Sequence, residues 1–345
     1  MLTAGVGLRE TPPAVDIGAL FPIQAQAAPA FDPDPEALIF VKNVAPVPET
    51  VSYVNSFVQG HGRFAAPGNA ARRVKLRAVN PRTADELAGF FRDVSYTLTD
   101  IRQGEAVPPI KVERVPGDLG SKEGHERKSL FIGALLPVVL EVNQRVLDER
   151  EQLLEVQRKL TVGFDLSPIE LIWLERLADR YGTSPDKLDE LLKRVDIVPP
   201  SMAIAQGGVE SGWGTSFAAR MGNALFGQIQ STGSHAVPVP WKPGPDKPQP
   251  FPSVGEAAEA YVANLNTHRA YAGFRDERAA MRERGETPDG YRLIGTLLRY
   301  SELGQEYVSF VRLIMRENDL GDFDKARLSS SDVLHHPARQ VSVAH

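Results

Sequence analysis

One acid in this chain is framed by small residues, in the run Ala205-Gln206-Gly207-Gly208-Val209-Glu210-Ser211-Gly212-Trp213-Gly214-Thr215-Ser216. Two glycines inside a helix-forming stretch weaken it by about 1 kcal/mol each relative to Ala. A chain that keeps them is expected to use close packing or a constrained turn. Gly212 and Gly214 let the backbone bend sharply just after Glu210, and Ser216 is placed to cap a following helix. Further on, Asn223-Ala224-Leu225-Phe226-Gly227-Gln228 is a second turn of the same kind. The pattern predicts a short helix that delivers one carboxylate to a glycine-rich turn.

Bulk properties exclude several classes. A formal net charge of −5 over 345 residues lacks the basic stripe of a nucleic-acid binder. The absence of Cys rules out disulfides, thiolate zinc sites and cysteine nucleophiles. The histidines are scattered, and His268 has no second His at ligand spacing, so neither a metal site nor a cofactor is expected. No run of eighteen apolar residues exists, so no helix is expected to span a membrane. Ala25-Gln26-Ala27 has the form of a signal-peptidase site, but Arg9, Asp16 and Pro22 interrupt the apolar stretch such a peptide needs. An Ala- and Pro-rich tail is the equal alternative.

Along the chain, residues 1–80 read as irregular, with Leu38-Ile39-Phe40-Val41 and Val51-Ser52-Tyr53-Val54 as short strands or local contacts. Residues 81–194 read as a helical region. Thr83 and Glu86 form a capping box, and Leu87, Phe90, Phe91, Val94 and Leu98 share one helical face. The longest helix is expected over 129–160, kinked or broken early by Pro137; its apolar stripe is expected to pack on its own domain. Ser167-Pro168 with Glu170 starts another helix that Gly182 ends. Ser184-Pro185 starts a third. Residues 195–322 form the next unit, in which Ser201 caps the helix leading to Glu210. A Pro-rich loop or extended lobe with Trp241 follows Gln228. Helices resume at Ser253, near 291–300 and near 306–317. Residues 323–345 read as a polar, frayed tail.

A carboxylic acid beside an apolar aromatic, opening into a cleft, meets the needs of a general acid for glycoside cleavage. Glu210 is that candidate; the alternative is a solvated helix-ending acid. Trp213 either shields Glu210 and raises its pKa by desolvation or is a core aromatic between helices. Tyr300 and Tyr307 either hydrogen-bond a sugar or pack helices. Trp241 either stacks on a sugar ring or anchors its loop.

The region from about 195 to 320 resembles the glucosaminidase domains of bacterial peptidoglycan hydrolases, glycoside hydrolase family seventy-three, and among them the Bax-type proteins of Gram-negative bacteria. The resemblance rests on Ala205-Gln206, on Glu210 through Ser216, on Asn223 and Leu225-Phe226-Gly227-Gln228, on Asn266-Thr267-His268-Arg269-Ala270-Tyr271, and on Arg299-Tyr300-Ser301-Glu302. Upstream, Asn143-Gln144-Arg145-Val146-Leu147 and Arg194-Val195-Asp196-Ile197-Val198-Pro199 extend it to about residue 128. It implies a mainly α, lysozyme-like fold with a small extended or β-hairpin lobe. It also implies hydrolysis of the β-1,4 bond on the reducing side of N-acetylglucosamine in peptidoglycan, in the periplasm or cell envelope. Glu210 then matches the general acid, and Tyr300 and Tyr307 the late aromatic motif. Trp213, Asn223, Phe226, Gln228, Trp241 and Tyr307 become candidate glycan-binding residues.

The chain departs from many relatives in one respect: no Glu lies between Glu210 and Glu256, and Asp246 is the lone carboxylate of the lobe. Two-carboxylate mechanisms need partners about 5–5.5 Å apart for retention or roughly 6.5–9.5 Å for inversion. Three routes stay open for the second group: Asp246 as base, Glu302 from the opposite wall, or the substrate's own acetamido group oriented by Tyr300. A non-catalytic glycan-binding protein and a lytic transglycosylase are the rival readings.

Overall fold

The structure, a computed structural model, describes residues 74–228 and 248–330. It is mainly helical. Strand β1 (Arg77–Val79) pairs in parallel with β2 (Ile110–Val112), in the register Arg77 to Ile110. A parallel pair needs a crossover, and helices α1 (Ala84–Asp93) and α2 (Leu98–Arg102) supply it. Thereafter come α3 (Gly124–Thr161), α4 (Pro168–Arg180), α5 (Leu188–Arg194), α6 (Pro200–Ser211) and α7 (Phe217–Gly222). The chain ends with α8 (Val254–Thr267), α9 (Ala272–Glu283), α10 (Gly290–Leu293), α11 (Gln305–Glu317) and a closing 3-10 turn (Leu320–Lys325).

One continuous cluster of buried apolar side chains extends from Ala84 to Phe323. Its axis is α3, a helix of 38 residues in which every position from Leu130 to Leu140 is buried. α3 packs on α6, α8 and β2. By length and composition α3 could cross a membrane, but 78% of its apolar window is buried inside the protein, which marks a core helix. Of the kink or early break expected at Pro137, the break does not occur, and the helix continues through the proline. An interior proline costs about 3 kcal/mol; burial of about 1.5–3 kcal/mol per large apolar side chain over the flanking turns outweighs it.

Other boundaries differ from the sequence reading for local reasons. Thr83 accepts from the Glu86 amide, but Glu86 Oε2 accepts from the Arg82 amide rather than completing the box at Thr83. Val94 ends α1, and Ser95 at φ 52° turns the chain, so Leu98 begins a separate helix. The capping box of Ser167 and Glu170 forms as read, and Gly182 at φ 62° follows the end of α4. Ser184 opens a turn, with Lys187 N donating to its carbonyl at 3.0 Å, and α5 starts later. Ser201 lies inside α6 rather than capping it: its amide and hydroxyl each donate to the Asp324 carboxylate at 2.8 Å. The helical stretch expected over 291–300 shortens to α10 and a 3-10 turn at Ile294–Thr296.

The strands β1 and β2, helix α9 and the docked end of the described chain all escaped the sequence reading. α9 presents a buried face made of Phe274, Arg275, Arg278 and Met281, and arginines hide such a face from an apolar-stripe search. Past Gly321 the described chain is docked rather than frayed. Phe323 is fully buried, and Val107 N donates to Arg327 O while Ser329 N donates to Val107 O. The strand candidates at 38–41 and 51–54, the Ala25-Gln26-Ala27 site, most of the lobe with Trp241 and Asp246, and the last residues of the tail lie outside the described residues.

Candidate active site

α6 carries Glu210 in its last turn. Its two glycines serve close approach. A Cβ on Gly207 would sit 3.2 Å from side-chain atoms of Leu135 and Phe226, and one on Gly208 would sit 3.0 Å from the Trp213 ring. The turn beyond Glu210 holds three successive residues at positive φ: Gly212 at 59°, Trp213 at 57° and Gly214 at 80°. Ser211 secures it, its hydroxyl donating to Gly207 O at 2.5 Å and accepting from Gly214 N at 2.8 Å. A bulky residue in the left-handed region stores strain of about 1–3 kcal/mol. Packing holds it: Trp213 meets Phe131 edge-on with centroids 5.8 Å apart, under the Lys128 ammonium. Trp213 is 9% exposed, so its ring is chiefly core.

Glu210 is partly buried. Oε1 accepts from the Tyr307 hydroxyl at 2.9 Å. Oε2 lies in the space a side chain at Gly227 would fill, 2.6 Å from the position of a Cβ there. Gly227 adopts φ 65°, so both conformation and contact require glycine. Burial pushes the Glu210 carboxyl up to about 7, against the Tyr307 hydrogen bond, which favours the charged form. Among the described residues no ion pair reaches Glu210; its titratable neighbours are phenols.

Those phenols form a stack. Tyr300 and Tyr307 lie nearly parallel with centroids 5.6 Å apart, and Tyr271 flanks Tyr300 at 5.9 Å. Tyr300 donates to Phe226 O at 2.8 Å, which fixes the turn that brings Gly227 to the acid. The Phe226 ring is fully buried against Tyr261, centroids 4.3 Å apart. Behind Tyr307, Gln206 Nε2 donates to the Tyr307 hydroxyl at 2.9 Å, and Gln206 Oε1 accepts from Tyr261 at 2.7 Å.

The structure thus brings Glu210, Tyr300, Tyr307 and the Phe226 backbone together. Asn223 is a left-handed cap of α7, with Nδ2 donating to Phe251 O at 3.0 Å. Gln228 O accepts from Gln249 N at 2.6 Å, which ties the two ends of the lobe; the buried Oε1 of Gln228 has no partner among the described residues. Glu302 is exposed in the turn after Tyr300. Trp241 and Asp246 lie outside the described residues. Sequence reasoning gave no role to Gln206, Tyr261 or Gly227. Gln206 was detectable, since it stands four residues before Glu210 and so shares its helical face. Among the described residues no cluster of His, Asp or Glu could hold a metal ion.

Residues 186–318 match a family model described as mannosyl-glycoprotein endo-beta-N-acetylglucosaminidase. The Bax protein of Escherichia coli (strain K12) is 35% identical over 202 residues, which cover 56% of this chain and 71% of that protein. No solved structure matches the chain. With an acid helix, a glycine turn and a tyrosine stack all inside the matched span, this chain belongs to the Bax-type glucosaminidase-domain proteins.

Proposed function

We propose that the protein hydrolyses the β-1,4 bond on the reducing side of N-acetylglucosamine in bacterial peptidoglycan, in the cell envelope, with Glu210 as general acid. The observation that carries this reading is the placement of Glu210 at the end of α6, with Oε1 accepting from Tyr307 and Oε2 against Gly227, where burial pushes the carboxyl up to about 7. Such a group is protonated near neutral pH and can pass its proton to the departing sugar oxygen. The family description names cleavage at N-acetylglucosamine, which agrees with the resemblance read from the motif. The remaining step needs a nucleophile on the anomeric carbon. Tyr300 is pinned through its hydroxyl to Phe226 O, so it supports the wall against which an acetamido group or a water would be oriented.

Lytic transglycosylation is the second reading, favoured by one observation: among the described residues Glu210 has no carboxylate within its hydrogen-bond network. One experiment separates the readings. Purified peptidoglycan is incubated with the protein and the products are mass-analysed. Hydrolysis yields reducing N-acetylglucosamine ends, and transglycosylation yields anhydro-muramic ends. A glycan-binding protein without activity yields neither. Glu210→Gln is expected to abolish product while leaving the fold intact; wild-type rates in that variant would refute the assignment.

A further inference from the structure

Three side chains behind the acid form a chain of hydrogen bonds with a fixed direction. Tyr261 donates to Gln206 Oε1 at 2.7 Å, Gln206 Nε2 donates to Tyr307 at 2.9 Å, and Tyr307 donates to Glu210 Oε1 at 2.9 Å. Tyr261 and Gln206 are fully buried and Tyr307 is 4% exposed, so these groups are withdrawn from bulk solvent. An amide has one accepting and one donating end, and its orientation is decided by the partners it must satisfy. Were the Gln206 amide reversed, Nε2 would face Tyr261, whose hydroxyl hydrogen would lose its one recorded acceptor inside the core. Buried donors without acceptors are disfavoured. Tyr261 therefore holds the amide in one orientation.

We infer that Tyr261 is a positioning residue for the acid: through the Gln206 amide it commits the Tyr307 hydrogen to Glu210 Oε1, so that the transferable proton rides on Oε2, the oxygen beside Gly227. A proton on Oε1 would have to point at the Tyr307 oxygen and displace the Tyr307 hydrogen, which among its described partners would then find an acceptor in a reversed Gln206 amide alone. The relay thus keeps one oxygen as acceptor and leaves the other as donor. Tyr261 does this without contacting Glu210. The inference rests on the reading of Glu210 as the general acid, and its test is independent of turnover.

Among the described residues the titratable groups facing Glu210 are Tyr307 on α11, Tyr300 before it, Tyr261 on α8 and Tyr271 in the 3-10 turn Arg269–Tyr271. All are phenols held neutral by burial, so the acid's titration reports its hydrogen bonds rather than a neighbouring charge. Removing a donor that favours the carboxylate raises its pKa.

The test is a carboxyl carbon-13 NMR titration of the full-length protein labelled at Glu, with the Glu210 line assigned by its loss in Glu210→Gln. Tyr307→Phe, Gln206→Leu and Tyr261→Phe are each expected to move the midpoint upward, Tyr261→Phe by about half a pH unit or more. Tyr261→Phe keeps the ring that stacks on Phe226, so the fold is expected to survive; Tyr96→Phe, which removes a buried hydroxyl elsewhere, is expected to leave the midpoint in place. The route through the amide is read from a double-mutant cycle: in the Gln206→Leu background, Tyr261→Phe is expected to add no further shift. A midpoint that is unmoved or lowered in Tyr261→Phe, or a full additional shift in the double variant, overturns the relay. Undiminished hydrolysis by Glu210→Gln would instead sink the proposed function, and would leave this titration as readable as before.

Discussion

Two carboxylates, the partly buried Glu210 and the fully enclosed Asp196, have opposite fates in this molecule. Asp196 is 1% exposed. Burial opposes its charge, yet hydrogen bonds from Arg282 and the nearby charges of Arg278 and Arg150 hold it below the usual carboxylate range. Arg282 grips it through Nε at 3.0 Å and Nη2 at 2.8 Å. Arg278, fully buried, donates to the carbonyls of Asp196, Ile197 and Lys193 and so binds α9 to the segment entering α6. Among the described residues the titratable groups around Glu210 are phenols, and burial prevails. The comparison teaches that burial sets the penalty for charge while neighbours decide whether it is met: the arginine cluster makes an ion that holds the fold, and the tyrosine stack makes an acid that keeps its proton.

The sharpest break of the comparison is to remove each carboxylate in turn. Glu210→Gln is expected to lower peptidoglycan hydrolysis by about 10²–10⁴-fold, the range of general acid catalysis, in a product-release assay. Asp196→Ala leaves three arginines with an uncompensated buried centre and is expected to destabilise the protein by about 3–5 kcal/mol, measured by denaturant unfolding. The two losses are of similar size and opposite kind; a stable Asp196→Ala protein would show that the arginine cluster does not hold α9.

Acidity sharpens the contrast. Above an ordinary value of 4.5 the unfolded chain releases the Glu210 proton, whereas the folded protein keeps it to about pH 7. Stability therefore falls as pH rises between those values. Glu210→Gln is expected to raise stability at pH 8 by on the order of 2 kcal/mol and to leave it unchanged near pH 4, in paired thermal melts. Asp196 has the reverse sign: its contribution is present above its unfolded pKa near 3.8 and is lost as pH falls through the lower folded value. Catalysis is expected to decline above about pH 7 as Glu210 ionises. The smallest expected effect is that of Glu302→Gln, under about tenfold on turnover, since the side chain is exposed and an exposed carboxylate gains little from its surroundings. A loss as deep as that of Glu210→Gln would make Glu302 the second catalytic carboxylate.

What was legible in the sequence is what is local. Glycines at 207, 208, 212 and 214 foretold close approach and a tight turn around Glu210, because helix and turn preferences act over a few residues. Ser216 caps its helix as read, and the helix expected to resume at Ser253 does so with that serine as its cap. What was not legible depends on residues distant in the chain. Arg275 and Arg278 face inward because carbonyls at the ends of other helices await them. Tyr261 acquires its role only when α8 crosses α6. Ser201 looked like a cap, but the carboxylate that serves the start of α6 arrives from far downstream.

That last contact has a consequence for biogenesis. Asp324 stands 123 positions after Ser201, and it also accepts from the Gly290 amide at 3.3 Å. A ribosome that has finished the glycine turn has made the acid but not its anchor. The first turn of α6 is clamped only when nearly the whole described chain has emerged, so a product that ends between Tyr307 and Leu320 carries Glu210 and every residue of the tyrosine stack but leaves the start of the acid's helix unmoored.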